Sequence, residues 1–432
     1  MRILLLLLLT LLPGFAAAED LSLGRAVNLA LDNNLHMKLA RADGETARAE
    51  ALSRASRLLP QAYFSASQSR TFRENLSSIG FGAPGGGPNL IGPFDTFDAR
   101  LALVQSLLDL PSANSARSGA EARRAADLKV QLASEQVSAA AALAYLDVLR
   151  SSAALNSASA GFELAGSLRS LAENKHDAGT ATGLDVLRAR TREAEEKLRV
   201  SRVSTALDDA WLRLKRLLGL PFGRDLRLTE DLAYTSYETP EAGAAVKEAL
   251  SGRLEIQIAA AALSASSYAL KAARGARLPA LALSGSAAMS GNKPDGNARL
   301  VGDMGLSLKM PLYAGGRVSA GVDAALSARE RAESLYADAS AMAEQETLSA
   351  LSRLSAADEE VATASMTVTM ASQELEMARN RFAAGAGDNI ELVEAQTSLS
   401  RARDALVDAL SRGKEANIRL TLALGRMKDL KF

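Results

Sequence analysis

The side chains best placed to do chemistry are two acids, Glu391 and Glu394. Three residues apart, they would share one face of a helix, just after a glycine-bearing turn at residues 384–387. Carboxylates gathered in this way attract cations, and repeated around an axis they set an electrostatic barrier. The alternative is ordinary solvated surface charge beside Arg401 and Arg403. We therefore interpret the pair as a candidate charged ring that needs several copies of the chain.

The residues and motifs that other kinds of chemistry require are absent from the sequence. Cysteine is absent and histidine occurs twice, which excludes thiol nucleophiles, disulfides and Cys/His metal sites. Neither a phosphate-binding loop nor a nucleophile-elbow motif occurs. The 50 basic side chains balance 50 acidic ones, so no basic stripe is available for nucleic acid. We expect no enzymatic activity, no cofactor, no bound metal and no nucleic-acid partner.

The first eighteen residues predict export. Arg2 precedes an apolar run at residues 3–12, and three alanines at 16–18 fit a small-residue cleavage site before Glu19. A membrane anchor is the alternative, but spanning a bilayer takes about 20 apolar residues. No cysteine follows the run to accept a lipid. The mature protein is therefore expected in the periplasm, outside the cell, or in the outer membrane through strands.

The rest of the chain is an internal repeat at an offset of 206 residues, without gaps over the best-matched stretch. The sequence LAENKHDA at residues 171–178 aligns with MARNRFAA at 377–384. Asp185 thereby becomes the counterpart of Glu391. The predicted domains are a signal peptide (1–18), a first structural repeat (19–231) and a second (232–432).

Each repeat is predicted to contain a helix, a strand pair, a long helix and a returning helix. The strand segments alternate apolar and polar residues, as strands of an outer-membrane barrel do. A half-buried hairpin of a soluble sheet fits the alternation equally well. The four strands are expected near residues 61–69, 98–106, 280–289 and 299–310.

The long helices set the fold class. Residues 112–175 and 316–382 contain no proline, and each could extend on the order of 95–100 Å as a helix. Returning helices are predicted over 183–218 and 388–424, each followed by glycine. Helices of this length must pack side by side in bundles or coiled coils. The prediction is an α+β chain with long coiled-coil helices.

Four strands are too few to close a membrane barrel, and an open edge in lipid leaves backbone groups without hydrogen bonds. The smallest single-chain outer-membrane barrels use eight strands. Several copies must therefore pool their strands, which predicts an oligomer without fixing the copy number.

In this arrangement the sequence resembles the TolC-like outer-membrane efflux family. The resemblance covers nearly all of the mature chain and rests on the repeat, on the strand-exit segment 310–317 and on the turn-and-return segment 380–396. It implies a homotrimeric β-barrel of twelve strands continuous with a periplasmic α-helical barrel. It also implies a periplasmic adaptor, an inner-membrane pump or ABC exporter, and a location in the outer membrane of a Gram-negative-type envelope, with most of the mass in the periplasm.

The resemblance assigns roles to particular positions. Glu391 and Glu394 match acids that line the family's periplasmic entrance, and Asp185 matches an acid that ties that entrance shut. Leu410 stands where the basic partner of Asp185 is expected, which weakens the second assignment. The remaining implied sites are adaptor-docking tips at Gly179, Thr180, Gly183, Gly385 and Gly387, and a strand–helix junction at Pro311, Gly315 and Gly316.

One further class of protein stays open at this point. A trimeric coiled-coil adhesin or periplasmic spacer without a pore would also explain the long helices and the signal peptide. It would not explain a strand pair before each long helix. Among channels, efflux of small molecules or metals and type I protein secretion are not distinguished by the sequence.

Overall fold

The computed structural model describes residues 19–75, 90–427 and 430. The predicted signal peptide and the glycine-rich loop at residues 76–89 lie outside this part of the chain. The chain divides into two compact units. The strand unit comprises the described residues of Asp43–Asp127 and Gln257–Ala337, and the helical unit those of Met1–Ala42, Leu128–Ile256 and Asp338–Phe432. Each sequence repeat therefore contributes residues to both units.

The helices and strands are numbered in chain order. Along the described chain they are β1 (Glu19–Leu21), α1 (Leu23–Asn33), α2 (Leu35–Ser56), β2 (Gln61–Thr71), β3 (Glu74–Asn75), β4 (Leu90–Ile91), β5 (Phe94–Leu108), α3 (Leu110–Asp177), α4 (Gly183–Leu217), β6 (Leu226–Leu228), α5 (Ala242–Gly252), α6 (Leu254–Gly275), β7 (Ala280–Gly291), β8 (Arg299–Lys309), α7 (Arg317–Ala383) and α8 (Asn389–Ala423).

The strand unit is built on a four-stranded antiparallel sheet in the order β2-β5-β7-β8. Its register aligns the residues of each face across all four strands: Phe64 pairs with Leu101, Leu101 with Ala287, and Ala287 with Gly302. Because side chains alternate along a strand, one aligned face is mainly apolar and the other is mostly small or polar. The apolar face also carries Gln68, Arg70 and Asp95 at its loop end, and the other face also carries Tyr63, Val104 and Val301. The large apolar residues are Phe64, Leu101, Leu103, Leu281, Leu283, Met289, Leu300, Met304, Leu306 and Leu308.

The two edges of this sheet are long and unpaired. In the described residues, β2 and β8 have a partner strand on one side only. Every residue of the 11-residue β8 is exposed, including Leu300, Met304 and Leu308. An exposed apolar edge strand is a template for pairing with another chain. The sheet of one copy is thus an incomplete structure, both in its hydrogen bonds and in its burial of apolar surface.

The helical unit packs its long helices through small side chains. Its buried positions are mostly alanine and leucine, and the fully buried large residues include Leu214, Leu354, Leu392 and Ile418. Alanine lets helix backbones approach closely, which accounts for a core with few aromatic residues. Gly219 and Gly425 follow the C-caps of α4 and α8, and their positive φ of 65° and 70° suits glycine.

No helix in the described residues combines the length and the apolar character needed to cross a membrane.

A cluster of polar contacts attaches the start of the described chain to the helical core. β1 pairs in parallel with β6, and the amide of Leu23 donates to the Glu230 carboxylate over 3.1 Å. Tyr145 of α3 is fully buried. Its hydroxyl lies within hydrogen-bond distance of two acceptors, the carbonyl of Leu21 (3.0 Å) and the carboxylate of Glu230. Burial lowers the pKa of Lys414, which faces the same carboxylate. One glutamate thus joins the strand pair, α1, α3 and α8.

The substitution Tyr145→Phe tests this cluster of polar contacts. Removing the hydroxyl deletes its hydrogen bonding to the Leu21 carbonyl and to the charged Glu230 carboxylate, so we expect a loss of about 1–3 kcal/mol in the free energy of unfolding. Urea unfolding of the purified protein, followed by circular dichroism, measures the change. Tyr234→Phe is the control because its hydroxyl is exposed and lies 3.4 Å from Asp358. Equal midpoints for the two variants would contradict the role given to Tyr145.

Candidate functional site

The chain forms two helical hairpins, α3–α4 and α7–α8, which end in turns of the same geometry. Gly179 and Gly385 have φ of 73° and 75°, and their amides donate to the carbonyls of His176 (2.9 Å) and Phe382 (3.1 Å). A side chain at either glycine would meet no atom within 4 Å, so the backbone conformation alone requires glycine. Gly387 differs because an added Cβ would lie 3.0 Å from Arg381 Cβ.

Each returning helix starts with a side-chain cap. Thr182 and Asp185 form a capping box on α4, in which the Thr182 amide donates to the Asp185 carboxylate over 2.9 Å. The hydroxyl of Thr182 donates to the same carboxylate over 2.7 Å, and this bond holds the pKa of Asp185 below its usual range. On α8, Asp388 accepts from the amide of Ile390. Thr180 and Gly183 lie exposed beside the first cap.

The acid pair predicted from sequence lies at the start of α8. Glu391 and Glu394 are both exposed, while Leu392 between them is buried. Glu391 pairs with Arg381 of α7 at 3.6 Å, and both side chains are substantially solvated. An exposed pair at this distance contributes little to stability. Arg381 partly compensates the charge of Glu391, and both carboxylates remain exposed to solvent.

The two hairpin tips are joined by a hydrogen bond that the sequence did not predict. The buried amide of Asn389 donates to the backbone carbonyl of Asp185 over 2.8 Å. The Asp185 carboxylate is occupied by its own helix cap and lies 3.9 Å from Arg188 on the same helix. Within the described chain the backbone of Asp185, not its charge, links the hairpins. A link from its carboxylate to a basic residue on a neighbouring helix stays a prediction.

The sequence analysis also does not predict the buried carboxylate of Glu196, farther along the hairpins. Glu196 of α4 is 1% exposed and accepts from Arg192 (2.5 Å) and Arg199 (3.0 Å). Arg199 also reaches Asp404 of α8 at 2.5 Å, and Ser400 of α8 lies 3.4 Å from Glu196. The cluster therefore ties α4 to α8. The i,i+3 and i,i+4 spacing of these charges is visible in the sequence but is typical of solvated helix faces.

The approach of α3 explains why Glu196 is buried. A Cβ at Gly161 of α3 would lie 3.0 Å from Glu196 Oε2, so glycine leaves room for the carboxylate. Ion pairs flank the cluster on both sides: Arg150 of α3 pairs with Asp408 at 2.9 Å, and Glu173 with Arg190 at 3.0 Å. Hydrogen bonds from Arg190 and Arg169 lower the pKa of Glu173.

The predicted strand–helix junction follows β8 as an exposed turn. Gly315 and Gly316 have φ of 59° and 81°, and an added Cβ would touch nothing at either residue. Pro311 is exposed in the same segment. These three residues lie in the segment that connects β8 to α7. Among the described residues, no group of three or more acids or histidines is arranged to hold a metal ion.

Comparisons with known proteins agree on one family. The model of the outer membrane efflux protein family matches residues 26–220 and 245–426. The pyoverdine export outer membrane protein OpmQ of Pseudomonas aeruginosa is 28% identical over 257 residues. That match spans 59% of this chain and about half (54%) of the length of the curated relative.

Solved structures share the fold. The outer membrane protein VceC from Vibrio cholerae superimposes with a TM-score of 0.83 at 20% identity, covering 93% of this chain and 96% of that one. The CmeC outer membrane channel of Campylobacter jejuni gives 0.83 at 19% identity, covering 94% and 85%. At such low identity the likeness establishes the fold alone.

Glu196→Gln tests the buried cluster. Removing this charge leaves Arg192 and Arg199 without their shared partner, and breaking a buried ion pair costs about 3–5 kcal/mol. Since both arginines keep some solvent contact, we expect a loss near the lower end in urea unfolding. Glu195→Gln is the matched control because Glu195 is 59% exposed and also pairs with Arg192. A change below about 0.5 kcal/mol for Glu196→Gln would contradict the assignment.

Proposed function

Because the chain belongs to the outer membrane efflux protein family, we propose that it is a channel subunit forming a passive exit duct across the outer membrane. The observation that carries the proposal is the four-stranded sheet with one apolar face, one small and polar face, and two unpaired edges. A sheet of this kind is stable in lipid only when its edges find partners. The TolC-like resemblance is confirmed by the family match.

Strand direction supports closure by copies of the same chain. Neighbouring strands are antiparallel throughout the sheet, so β2 and β8 run in opposite directions. The β8 edge of one copy can then pair antiparallel with the β2 edge of the next, and the pattern closes into a ring. We propose three copies and twelve strands, as in the resemblance. The apolar face would contact lipid and the small, polar face would line the lumen.

The lumen-facing side of such a barrel would be lined by small side chains and would carry little net charge. β7 places only alanine and serine on this face, from Ala280 to Ser290. Its central charge is compensated: Arg100 lies 3.2 Å from Asp98 and 3.4 Å from Asp303. Arg299 and Lys309 share the same face. This face thus carries three basic and two acidic side chains per copy, and small side chains with little net charge suit passage of varied solutes.

The helical unit would supply the periplasmic part of the duct. The paired long helices pack through alanine along their length, as the staves of a helical barrel must. We propose that the tips at Gly179, Thr180, Gly183, Gly385 and Gly387 dock a periplasmic adaptor (membrane fusion protein). Since the sequence has no nucleotide-binding motif, an inner-membrane pump or ABC exporter must supply the energy.

The acid pair is proposed as the entrance gate. Glu391 and Glu394 are exposed close to the tip and keep their charge available to solvent. Three copies would place six carboxylates around one axis, where they favour cations and oppose anions. We propose Asp185 as a weaker contributor, through contact with a neighbouring copy.

The cargo is a separate proposal. OpmQ exports pyoverdine, so small-molecule efflux is the class to test first; metal efflux and type I protein secretion are the alternatives. A pore-free coiled-coil spacer is the rival function. The aligned apolar and polar faces of the sheet count against it, because a spacer in water gains nothing from an exposed apolar face.

Replacing both gate acids tests the pore and its entrance together. In planar bilayers, Glu391→Ala/Glu394→Ala should raise single-channel conductance and weaken block by multivalent cations roughly tenfold, because close carboxylates attract such ions strongly. The matched control is Glu330→Ala/Glu333→Ala, which removes the same charge at the same spacing from the strand-unit part of α7.

The outcomes separate the two proposals. Unchanged conductance and block in the gate variant would remove the entrance assignment while leaving the channel. Absence of any current from the wild-type protein would remove the channel itself.

A further inference from the structure

The four joints between the sheet and its helices carry an unbalanced positive charge. These joints are residues 54–60, 106–112, 271–279 and 309–317. Together they contain one acid, Asp109, and seven basic side chains, which we call the basic collar: Arg54, Arg57, Lys271, Arg274, Arg277, Lys309 and Arg317. The acid is occupied locally, because its carboxylate accepts from the amide of Ser112 over 2.9 Å.

The opposite end of the same sheet has no such excess. The segments 68–75, 90–98 and 290–299 contain four basic and four acidic residues. One pair of these, Arg70 and Asp95, lies 3.8 Å apart. The charge of the collar is therefore a property of one end of the sheet and not of the sheet as a whole.

Strand register and helix contacts hold the four joints side by side. Gln61 pairs with Val104, and Ala280 with Lys309, at the ends of their strands. Gln105 donates its side-chain amide to the carbonyl of Leu58 over 2.9 Å. Gly275 approaches the next joint so closely that an added Cβ would lie 3.3 Å from Pro111. The collar is thus one continuous surface.

Acids do not neutralise the collar charges within the described residues, although the ammonium of Lys271 lies 4.9 Å from the centre of the Tyr268 ring. In the part of the chain that the structure describes, none of the seven basic side chains forms an ion pair. Arg57, Arg277 and Arg317 are exposed. Unpaired cations gathered at one level attract a surface of negative charge more strongly than single residues do.

Large apolar side chains lie among these charges. Leu312 and Tyr313 are 91% and 90% exposed, and Leu59 and Leu278 are exposed next to Arg57 and Arg277. Aromatic and basic residues at one level are typical of the boundary between hydrocarbon and headgroups. This surface also continues the apolar face of the sheet, which the proposed function places in lipid.

We propose that the basic collar, apart from Lys309 on the lumen-facing side of β8, binds the anionic headgroups of glycerophospholipids in the periplasmic leaflet of the outer membrane. The inference rests on the proposed function, since the joints lie at the helix-bearing end of the membrane sheet. Leucine and tyrosine would enter the leaflet while the arginines reach phosphate groups. The collar would fix the depth of the sheet in the membrane and select acidic lipids at its boundary.

Lipid retention tests the proposal on the full chain. The protein is reconstituted in phosphatidylethanolamine vesicles containing phosphatidylglycerol, extracted in mild detergent, and its bound lipids are quantified by mass spectrometry. We expect wild type to enrich phosphatidylglycerol over the vesicle composition. Arg57→Gln/Arg277→Gln/Arg317→Gln should reduce that enrichment at least about fivefold, the effect of roughly one basic residue near an anionic surface.

The control moves the same charge change to the other end of the sheet, as Arg73→Gln/Lys293→Gln/Arg299→Gln. This variant should retain wild-type enrichment. Equal loss in both variants, or no enrichment by wild type, would overturn the proposal. Displacement of the lipid by millimolar inorganic phosphate would also overturn it, because the site would then bind small anions.

Conductance measured on the same samples separates this inference from the proposed function. Collar variants that conduct normally but lose phosphatidylglycerol support the collar with the channel intact. Wild-type protein that conducts but shows no lipid preference leaves the channel and removes the collar.

Discussion

The unpaired backbone of two edge strands is the constraint on which the rest of the molecule depends. β2 and β8 each present a row of amide and carbonyl groups that the described chain leaves without a partner strand. In water these groups would be hydrated, but the adjoining apolar face favours lipid, where each unsatisfied group costs several kcal/mol. The proposed assembly between copies would satisfy both demands. Neighbouring copies would then also cover helix surface that one copy leaves exposed.

Much of the fold could be predicted from the sequence because it is repeated and periodic. The predicted strands at 280–289 and 299–310 correspond to β7 and β8 within two residues. β5 extends four residues before its predicted start at 98, since Phe94 to Phe97 pair with β2 outside the alternating pattern. The division into units could not be foreseen. It depends on contacts between the two repeats, and periodicity within one repeat carries no information about them.

The site was less predictable, for a physical reason. Exposed acids such as Glu391 can be identified by spacing beside a turn. The interactions that join the hairpins depend on which side chains are buried, and Glu196 and Asn389 look like ordinary helix-surface residues in the sequence. Gly161 was the available signal, since a glycine within an alanine-rich helix marks a close approach. The role of Asp185 as a helix cap, in contrast, can be recognised in the sequence from its spacing of three residues after Thr182.

Disulfide trapping between the two edge strands tests the central claim most directly. The chain has no native cysteine, so one cysteine on β2 at Ser67 can be combined in turn with Val301→Cys, Asp303→Cys or Gly305→Cys on β8. In oxidised outer membranes, at least one combination should yield covalent dimers and trimers and no larger species, while Ser67→Cys alone yields none of this ladder. Only monomers from every combination, in membranes where the protein conducts, would contradict pairing of these edges between copies.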